Sequence, residues 1–191
     1  MPELLIITGP IAAGKNTVAA RLRDRLTSHG RTVVIADVDD VAAMVGPPGA
    51  AAAGLWFAAH EAHGALVGRW MRTDVDYVIA VGPVYSDDER TALTRDLPDD
   101  AVPRWIVLDA PESVTLARAQ ADPRPLPGSG LPPGRVRPFP APGTVDPGRP
   151  HFRLANLGPR PDSGRDHVLT DHGWRATIRC HRPDRLVILV P

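Results

Sequence analysis

The feature that most constrains this chain is a loop with two glycines close to its start. The loop consists of Gly9, Pro10, Ile11, Ala12, Ala13, Gly14, Lys15, Asn16 and Thr17. It follows the apolar run Leu4–Thr8 and precedes a segment in which Val18 and Leu22 stand at helical spacing. Because a strand, a glycine loop and a helix come in this order, the pattern predicts a phosphate-binding loop. Backbone N–H groups of such a loop point at phosphate oxygens. An ordinary turn with a surface lysine is the alternative.

The basic residue of this loop supports phosphate binding. Lys15 is the single lysine of a chain that has 21 arginines, and a compact ammonium suits a phosphate cradle where a planar guanidinium does not. The residue after the lysine of such loops is usually Ser or Thr, whose hydroxyl ligates Mg²⁺. Here Asn16 takes that place, with Thr17 next. An amide oxygen can also ligate a hard cation, so Asn16 is a candidate Mg²⁺ ligand.

Apolar runs and helical periodicity alternate through the first 122 residues. Strands are predicted at Leu4–Thr8, Thr32–Ala36, Tyr77–Val81 and Trp105–Leu108, and helices at Lys15–His29, Leu55–Arg72, Ser86–Leu97 and Glu112–Ala121. Residues 46–54, rich in Pro, Gly and Ala, are predicted to form a loop. Ser86 with Glu89 forms a capping-box pattern at the start of its helix. Strands separated by helices predict an α/β fold with a parallel sheet and right-handed crossovers.

The composition excludes several classes of protein. Formal net charge is zero, which argues against general nucleic-acid or membrane partners. No apolar run approaches the roughly 20 residues of a membrane helix, and the N-terminus lacks a leader pattern. One cysteine, Cys180, rules out an internal disulfide and fits a reducing compartment. A cytoplasmic protein is therefore expected, with its oligomeric state open.

The character of the chain changes after residue 122. Residues 123–173 hold twelve prolines, against eight in the preceding 122 residues, and so many prolines hinder both helices and a packed core. We therefore predict two regions: a nucleotide-binding domain over 1–122, and an irregular, poorly ordered Pro/Gly/Arg-rich tail over 123–191. The run Leu186–Val190 is strand-like, without an evident partner.

An acidic cluster follows the second predicted strand. Asp37, Asp39 and Asp40 come at the carboxyl end of that strand, the edge at which ligands bind in open parallel sheets. In an extended turn Asp37 and Asp39 would point the same way. Phosphoryl transfer needs one carboxylate near Mg²⁺ and one that accepts the proton of the attacking hydroxyl. N-capping of a following helix is the alternative.

Other candidate residues carry weaker patterns. His60 and His63 share a helix face, but zinc needs three protein ligands, so a half-exposed face is favoured over a metal site. If this helix borders an acceptor pocket, His63 or Arg69 could contact substrate. Gly82 after the third strand permits close approach of a ligand. Arg118 and Arg124 suit a lid that closes over phosphates, or a solvated helix end.

Taken together, these residues resemble a known family. The loop Gly9–Thr17, the pair Asp37 and Asp39, Gly82, and the run from Leu108 to Arg118 look like the small P-loop kinases. This nucleoside-monophosphate-kinase-like group includes shikimate, gluconate and adenylylsulfate kinases and chloramphenicol phosphotransferase. Bacterial proteins of this type are often described as AAA-family ATPases or ATP-binding proteins. The resemblance covers about residues 3–124.

The resemblance implies a three-layer α/β/α P-loop NTPase fold, ATP with Mg²⁺, and a small-molecule acceptor carrying a hydroxyl. It implies that Lys15 neutralises the β- and γ-phosphates and that Asp37 lies near Mg²⁺. Asp39 would be the acceptor-side base, and Arg118 would belong to the lid. ATP and GTP are not distinguished, and the acceptor is not named.

The family pattern stops after residue 124, where a lid helix, a fifth strand and a final helix would follow. A frame change in the coding DNA near Pro125 is one hypothesis, since the shifted frame can encode an amphipathic helix and a strand. Two further alternatives stay open: a nucleotide-binding protein or ATPase without phosphotransfer, and an inactive truncated product.

Overall fold

The computed structural model describes residues 1–121 and the backbone of three strands between residues 167 and 189. The strands are β1 (Glu3–Thr8), β2 (Val33–Asp37), β3 (Tyr77–Val81), β4 (Arg104–Asp109), β5 (His167–Asp171), β6 (Trp174–Arg182) and β7 (Arg185–Leu189). The helices are α1 (Lys15–Ser28), α2 (Val38–Ala43), α3 (Trp56–Trp70), α4 (Asp87–Thr94) and α5 (Glu112–Ala121). None of these helices is both long and apolar enough to cross a membrane.

The strands form one sheet in the order β2-β3-β1-β4-β7-β6-β5. Neighbouring strands from β2 to β7 are parallel, with β1 between β3 and β4. β6 and β5 extend the sheet beyond β7 in antiparallel pairing. The predicted α/β class with a parallel sheet is therefore confirmed, and each βα connection leaves the sheet at its carboxyl edge.

Alternate residues of β1 face two separate cores. Leu5 and Ile7 pack with Val18 of α1 on one face of the sheet. Leu4 and Ile6 pack with Val67 of α3 and Leu93 of α4 on the other face. Since both faces are covered by helices, the architecture has three layers, and the continuous apolar run of β1 follows from its burial on both sides. Each such buried side chain contributes about 1.5–3 kcal/mol.

The structure differs from the sequence prediction in two places. Residues 38–43 form the short helix α2, where an extended turn was expected. The predicted strand Leu186–Val190 is present as β7, which pairs with β4, and two further strands, β5 and β6, lie in the region expected to be irregular. These two strands fall in the proline-free interval between Pro161 and Pro183, which contains the β-branched residues Val168, Thr170, Thr177 and Ile178. Most of the Pro-rich segment lies outside the described residues.

Helices α3 and α4 pack closely through glycines of α3. A Cβ on Gly64 would overlap the carbonyl oxygen of Ala92, and a Cβ on Gly68 would overlap that of Asp96. The absence of side chains at these two positions therefore lets the backbone of α3 lie against α4 and the turn that follows it.

We expect Gly64→Ala to lower the free energy of unfolding by about 1–3 kcal/mol through overpacking. Helix propensity alone predicts the opposite sign, a gain of about 1 kcal/mol. Urea denaturation measures the difference. Ala65→Ser on the exposed face of the same helix is the control and should change stability by less than about 0.5 kcal/mol. A stabilised Gly64→Ala protein would show that the helices do not meet as described.

Candidate active site

The glycine loop between β1 and α1 is shaped by residues with positive φ. Gly9 has φ 143°, Ala12 has φ 61°, and Gly14 has φ 92° at the N-cap of α1. A Cβ on Gly9 would stand 2.5 Å from the carbonyl oxygen of Leu108 in β4. Gly9 is therefore required both by its backbone conformation and by close packing against β4. The loop opens directly into α1, so the N-terminal N–H groups of that helix lie at the same place.

Lys15 lies in the first turn of α1 and folds back over the loop. Its ammonium donates to the carbonyl oxygens of Gly9, at 3.0 Å, and Pro10, at 2.9 Å. The residue is only 9% exposed. Burial lowers the pKa of Lys15, while the carboxylates of Asp39 and Asp37 oppose this change. The cation is thus held beside two acids at the carboxyl edge of the sheet, where an anion would give it stronger acceptors than carbonyl groups.

Asp37 ends β2 and caps α2. Its Oδ1 accepts a hydrogen bond of 2.9 Å from the backbone N–H of Asp39, so the capping role considered for this residue is real. Asp37 and Asp39, which were expected to point the same way in an extended turn, both act on Lys15 from the cap and first turn of a helix. Burial raises the pKa of Asp37, and hydrogen bonds from the Asp39 backbone and the Asn16 side chain counteract the rise.

Asp39 is a partly buried carboxyl group with a raised pKa. Burial raises its pKa to about 6, the Asp37 carboxylate adds to the rise, and Lys15 counteracts it. A carboxyl group with this pKa is mainly ionised at pH 7, yet it accepts a proton more readily than an ordinary aspartate. Asp40, the third acid of the cluster, is exposed on α2.

Asn16 and Asp37 offer oxygen ligands to a metal ion. The Asn16 side chain hydrogen-bonds to Asp37 and opposes the rise in the Asp37 pKa that burial causes. Since a carboxylate only accepts hydrogen bonds, the Asn16 amide nitrogen is the donor, and its amide oxygen is left for another partner. No group of three His, Cys, Asp or Glu side chains forms a metal cage among the described residues. One or two protein oxygens suit Mg²⁺, which keeps several waters and binds phosphates, so these residues fit that ion.

Tyr85 is a site residue that the sequence analysis missed. Its hydroxyl receives a hydrogen bond from the backbone N–H of Ile11 in the loop. Burial raises the pKa of Tyr85 to about 12, and the carboxylates of Glu89 and Asp39 add to the rise. The residue as a whole is 56% exposed, so the hydroxyl end faces the loop while much of the side chain faces solvent. An aromatic residue four positions after β3, at the same sheet edge as the loop, was the available signal.

The segment that carries Tyr85 is fixed at both ends. Val84 donates its backbone N–H to the Thr8 hydroxyl at the end of β1, at 3.0 Å. The predicted capping box is confirmed at α4: Ser86 Oγ accepts from the Glu89 N–H, and Glu89 Oε2 accepts from the N–H groups of Ser86 and Tyr85. Glu89 therefore holds Tyr85 against the loop through the backbone.

The two histidines of α3 are core residues. Each is 2% exposed, so the expected half-exposed face is wrong. His63 donates from Nε2 to the carbonyl oxygen of Ala36 at 3.0 Å, and burial lowers its pKa to about 4. His60 packs edge-on against Trp56, and its buried Nε2 has no hydrogen-bond partner, at 3.9 Å from Glu89 Oε1. Such a buried unpaired nitrogen costs about 1–3 kcal/mol.

The structure also places three other residues that the sequence suggested as candidates for the site. Gly82 follows β3, but a Cβ there would meet Val38 of α2, so the glycine serves helix packing. Arg69 lies in the last turn of α3. It is thirteen residues, or about 20 Å, along the helix from Trp56. It therefore lies towards the amino edge of the sheet, away from the glycine loop. Arg118 is exposed in the last turn of α5. Arg124 and the lid segment lie outside the described residues.

Two open cavities lie away from the loop. One, of about 360 Å³, is at the amino edge of the sheet beside Arg31 and Asp76. The other, of about 440 Å³, lies near Arg90 and Trp105. At the first cavity Asp76 already accepts hydrogen bonds from Arg31 and Thr32. The loop, the acids and Tyr85 thus form the stronger candidate, because their charged groups converge on one point.

No protein-family model matches the chain, and no curated protein matches it. Several solved structures are similar to the chain. APE1195 is 21% identical over 63% of this chain and 70% of its own, with a TM-score of 0.51. A gluconokinase from Sinorhizobium meliloti 1021 is 16% identical over 68% of this chain and 70% of its own, with a TM-score of 0.43.

A third similar structure is the Mycobacterium tuberculosis APS kinase CysC in complex with AMPPNP and APS. It is 17% identical over 63% of this chain and 69% of its own, with a TM-score of 0.48. These last two structures are named as small-molecule kinases, the group that the sequence resembles. At these identities the likeness concerns the fold: the chain shares a three-layer α/β/α fold with APE1195, with its glycine loop between β1 and α1.

Proposed function

We propose that this protein is a small-molecule kinase that transfers the γ-phosphoryl group of ATP to a hydroxyl group. The observation that carries the proposal is the position of Asp39, with its pKa of about 6, beside the buried ammonium of Lys15. A base matched to neutral pH next to a phosphate-binding cation is what phosphoryl transfer to a hydroxyl requires. A simple nucleotide-binding protein has no need of that base.

In the proposed reaction the loop N–H groups and Lys15 bind the phosphates of ATP and stabilise the charge of the transferring group. Lys15 leaves the carbonyl oxygens of Gly9 and Pro10 for phosphate oxygens. Asp39 takes the proton of the acceptor hydroxyl as the new P–O bond forms and the bond to ADP breaks. A bound Mg²⁺, held by Asn16 and Asp37, would neutralise phosphate charge. Arg118 stays our candidate for the lid.

A nucleotide-binding protein or ATPase without phosphotransfer is the second candidate. It is favoured by Asn16 in place of a hydroxyl residue, and by the sequence Val81-Gly82-Pro83, which carries no acid at the end of β3. In this alternative the γ-phosphate stays on ATP or passes to water.

The fate of the γ-phosphate separates these functions. The full chain is incubated with Mg²⁺, ATP and a panel of hydroxyl compounds, and the products are identified by mass spectrometry. A kinase gives ADP and a phosphate ester in equal amounts. ADP with inorganic phosphate alone would identify an ATPase, and unchanged ATP that nevertheless raises the melting temperature would identify a binding protein. Repeating the incubation with GTP tests the nucleotide preference.

Asn16→Ala should weaken metal binding without removing nucleotide binding. The substitution removes an amide oxygen and the hydrogen bond that opposes the rise in the Asp37 pKa. We expect the Mg²⁺ concentration that gives half of the ATP-induced stabilisation to rise about tenfold or more. Melts in ATP with EDTA are the control and should be alike in both proteins. An unchanged Mg²⁺ requirement would exclude Asn16 as a metal ligand.

A further inference from the structure

Four acids at the starts of α2 and α4 form what we call the acidic rim, which consists of Asp37, Asp39, Asp40 and Glu89. Asp39 on α2 and Glu89 on α4 both raise the pKa of the Tyr85 hydroxyl, which contacts the loop at Ile11. Two elements that are separate in sequence thus bring carboxylates near the same hydroxyl group beside the glycine loop. The acceptor of the proposed reaction must approach through this point in order to reach Asp39.

Within residues 1–121, the cation that acts on Asp37 and Asp39 is Lys15, and it would be occupied by the phosphates of the nucleotide. Burial lowers the pKa of both His60 and His63, so these histidines add no charge at pH 7. Three arginines have acidic partners elsewhere: Arg31 pairs with Asp76, Arg95 with Glu61, and Arg104 with Glu3.

A second observation points to a ligand that donates hydrogen bonds. His60 Nε2 is buried without a partner and faces Glu89 Oε1, at 3.9 Å. The other oxygen of Glu89 accepts from the N–H groups of Tyr85 and Ser86. When its proton is on Nδ1, the neutral His60 ring presents Nε2 as an acceptor, and Nε2 and Glu89 Oε1 can then share one donor at ordinary hydrogen-bond distances. An ammonium group has three such protons and a charge opposite to that of the rim.

Building on the proposed kinase function, we propose that the acceptor is a hydroxyl compound that also carries an ammonium group, which the Glu89 carboxylate and its neighbour His60 recognise. The acceptor oxygen bonds to the γ-phosphorus, the bond from that phosphorus to ADP breaks, and the hydroxyl proton passes to Asp39. The products are ADP and a phosphate ester that still carries the ammonium group of the acceptor. Acceptors with carboxylate or phosphate groups are repelled by the rim.

The test compares acceptors that differ only in charge. Sets such as glucosamine, glucose and glucuronate, and 2-amino-1,3-propanediol, glycerol and glycerate, present an ammonium, no charge and a carboxylate on similar skeletons. With Mg²⁺ and ATP, we expect the full chain to phosphorylate the ammonium member of at least one set with kcat/KM about tenfold or more above the other members. Equal or better transfer to neutral or anionic members would overturn the proposal and leave the kinase function standing. If ATP binds but no set of acceptors gives a phosphate ester, the result counts against both the ammonium preference and the kinase function.

The Glu89→Gln variant tests whether Glu89 is responsible for the preference for acceptors that carry an ammonium group. Glutamine keeps the capping-box hydrogen bonds but removes the charge, so the ratio of kcat/KM for ammonium over neutral acceptor should fall about tenfold. Glu61→Gln, on the exposed ion pair with Arg95, is the matched control and should leave the ratio unchanged. A Glu89→Gln protein with the wild-type ratio would contradict the proposed recognition, whatever its overall rate.

Discussion

Replacing Lys15 with alanine should remove the effect of ATP on this protein. The variant loses the only lysine, whose ammonium lies within the loop and beside Asp37 and Asp39. We expect the ATP-induced rise in melting temperature to disappear and kcat for phosphoryl transfer to fall on the order of 10²–10³-fold or more. Thermal melts and initial-rate measurements test both parts.

The melting temperature of the Lys15→Ala protein without nucleotide should stay close to that of the wild type. Removing the buried ammonium costs two hydrogen bonds to loop carbonyls, but it also relieves the desolvation that lowers the lysine pKa. Arg25→Ala, an exposed change in the last turn of the same helix, is the control and should keep full ATP stabilisation. Persistent stabilisation of Lys15→Ala by ATP would mean that nucleotide binds elsewhere.

Asp39→Asn should separate ATP binding from transfer. Asparagine keeps the size of the side chain but cannot take a proton from a hydroxyl, so we expect unchanged ATP stabilisation and a loss of transfer of about 10²–10⁴-fold. In the wild type kcat should fall as pH decreases through about 6, because Asp39 becomes protonated there. Wild-type turnover in Asp39→Asn, or a wild-type pH profile without this decrease, would exclude Asp39 as the base.

The same substitution should stabilise the protein without nucleotide. A carboxyl pKa raised from 3.8 to about 6 means that the folded state binds the proton more tightly than the unfolded state. Ionisation of the aspartate therefore lowers the free energy of unfolding. This loss of stability develops as pH rises from about 4 to about 6 and persists at higher pH. We expect Asp39→Asn to gain about 1–2 kcal/mol at pH 7–8, less than the full shift implies because the side chain is partly solvated. The gain should shrink at pH 4, and urea denaturation at both pH values checks this.

The sequence predicts the centre of this fold well because local and tertiary signals agree there. Continuous apolar, β-branched runs can be buried only as central strands, so the predicted bounds of β1 and β3 differ from the structure by at most one residue. Gly9 and Gly14 mark the loop because other residues avoid their backbone conformations. Ser86 and Glu89 define the start of α4 by a purely local hydrogen-bond pattern.

The parts that sequence reasoning missed depend on distant contacts. The helix α2 is too short for a periodicity, and it is held by the cap at Asp37 and by the complete burial of Val38. The histidines of α3 look half-exposed until Gly64 and Gly68 are seen to admit the backbone of α4. Gly64 and Gly68, which are four residues apart on one face of α3, were the available signal for that close packing. The role of Tyr85 depends on Ile11, 74 residues earlier in the chain, so its position just after β3 was the signal that the sequence offered.

The most direct test of the central claim is hydrogen–deuterium exchange of the full chain with and without Mg²⁺ and ATP. If the loop N–H groups bind the phosphates, exchange should slow in peptides that cover residues 9–17, and next in residues 37–40. Peptides around Arg31 and Asp76, at the cavity on the other edge of the sheet, should be unchanged. Protection at that far cavity with none in residues 9–17, at ATP concentrations that stabilise the protein, would contradict the account.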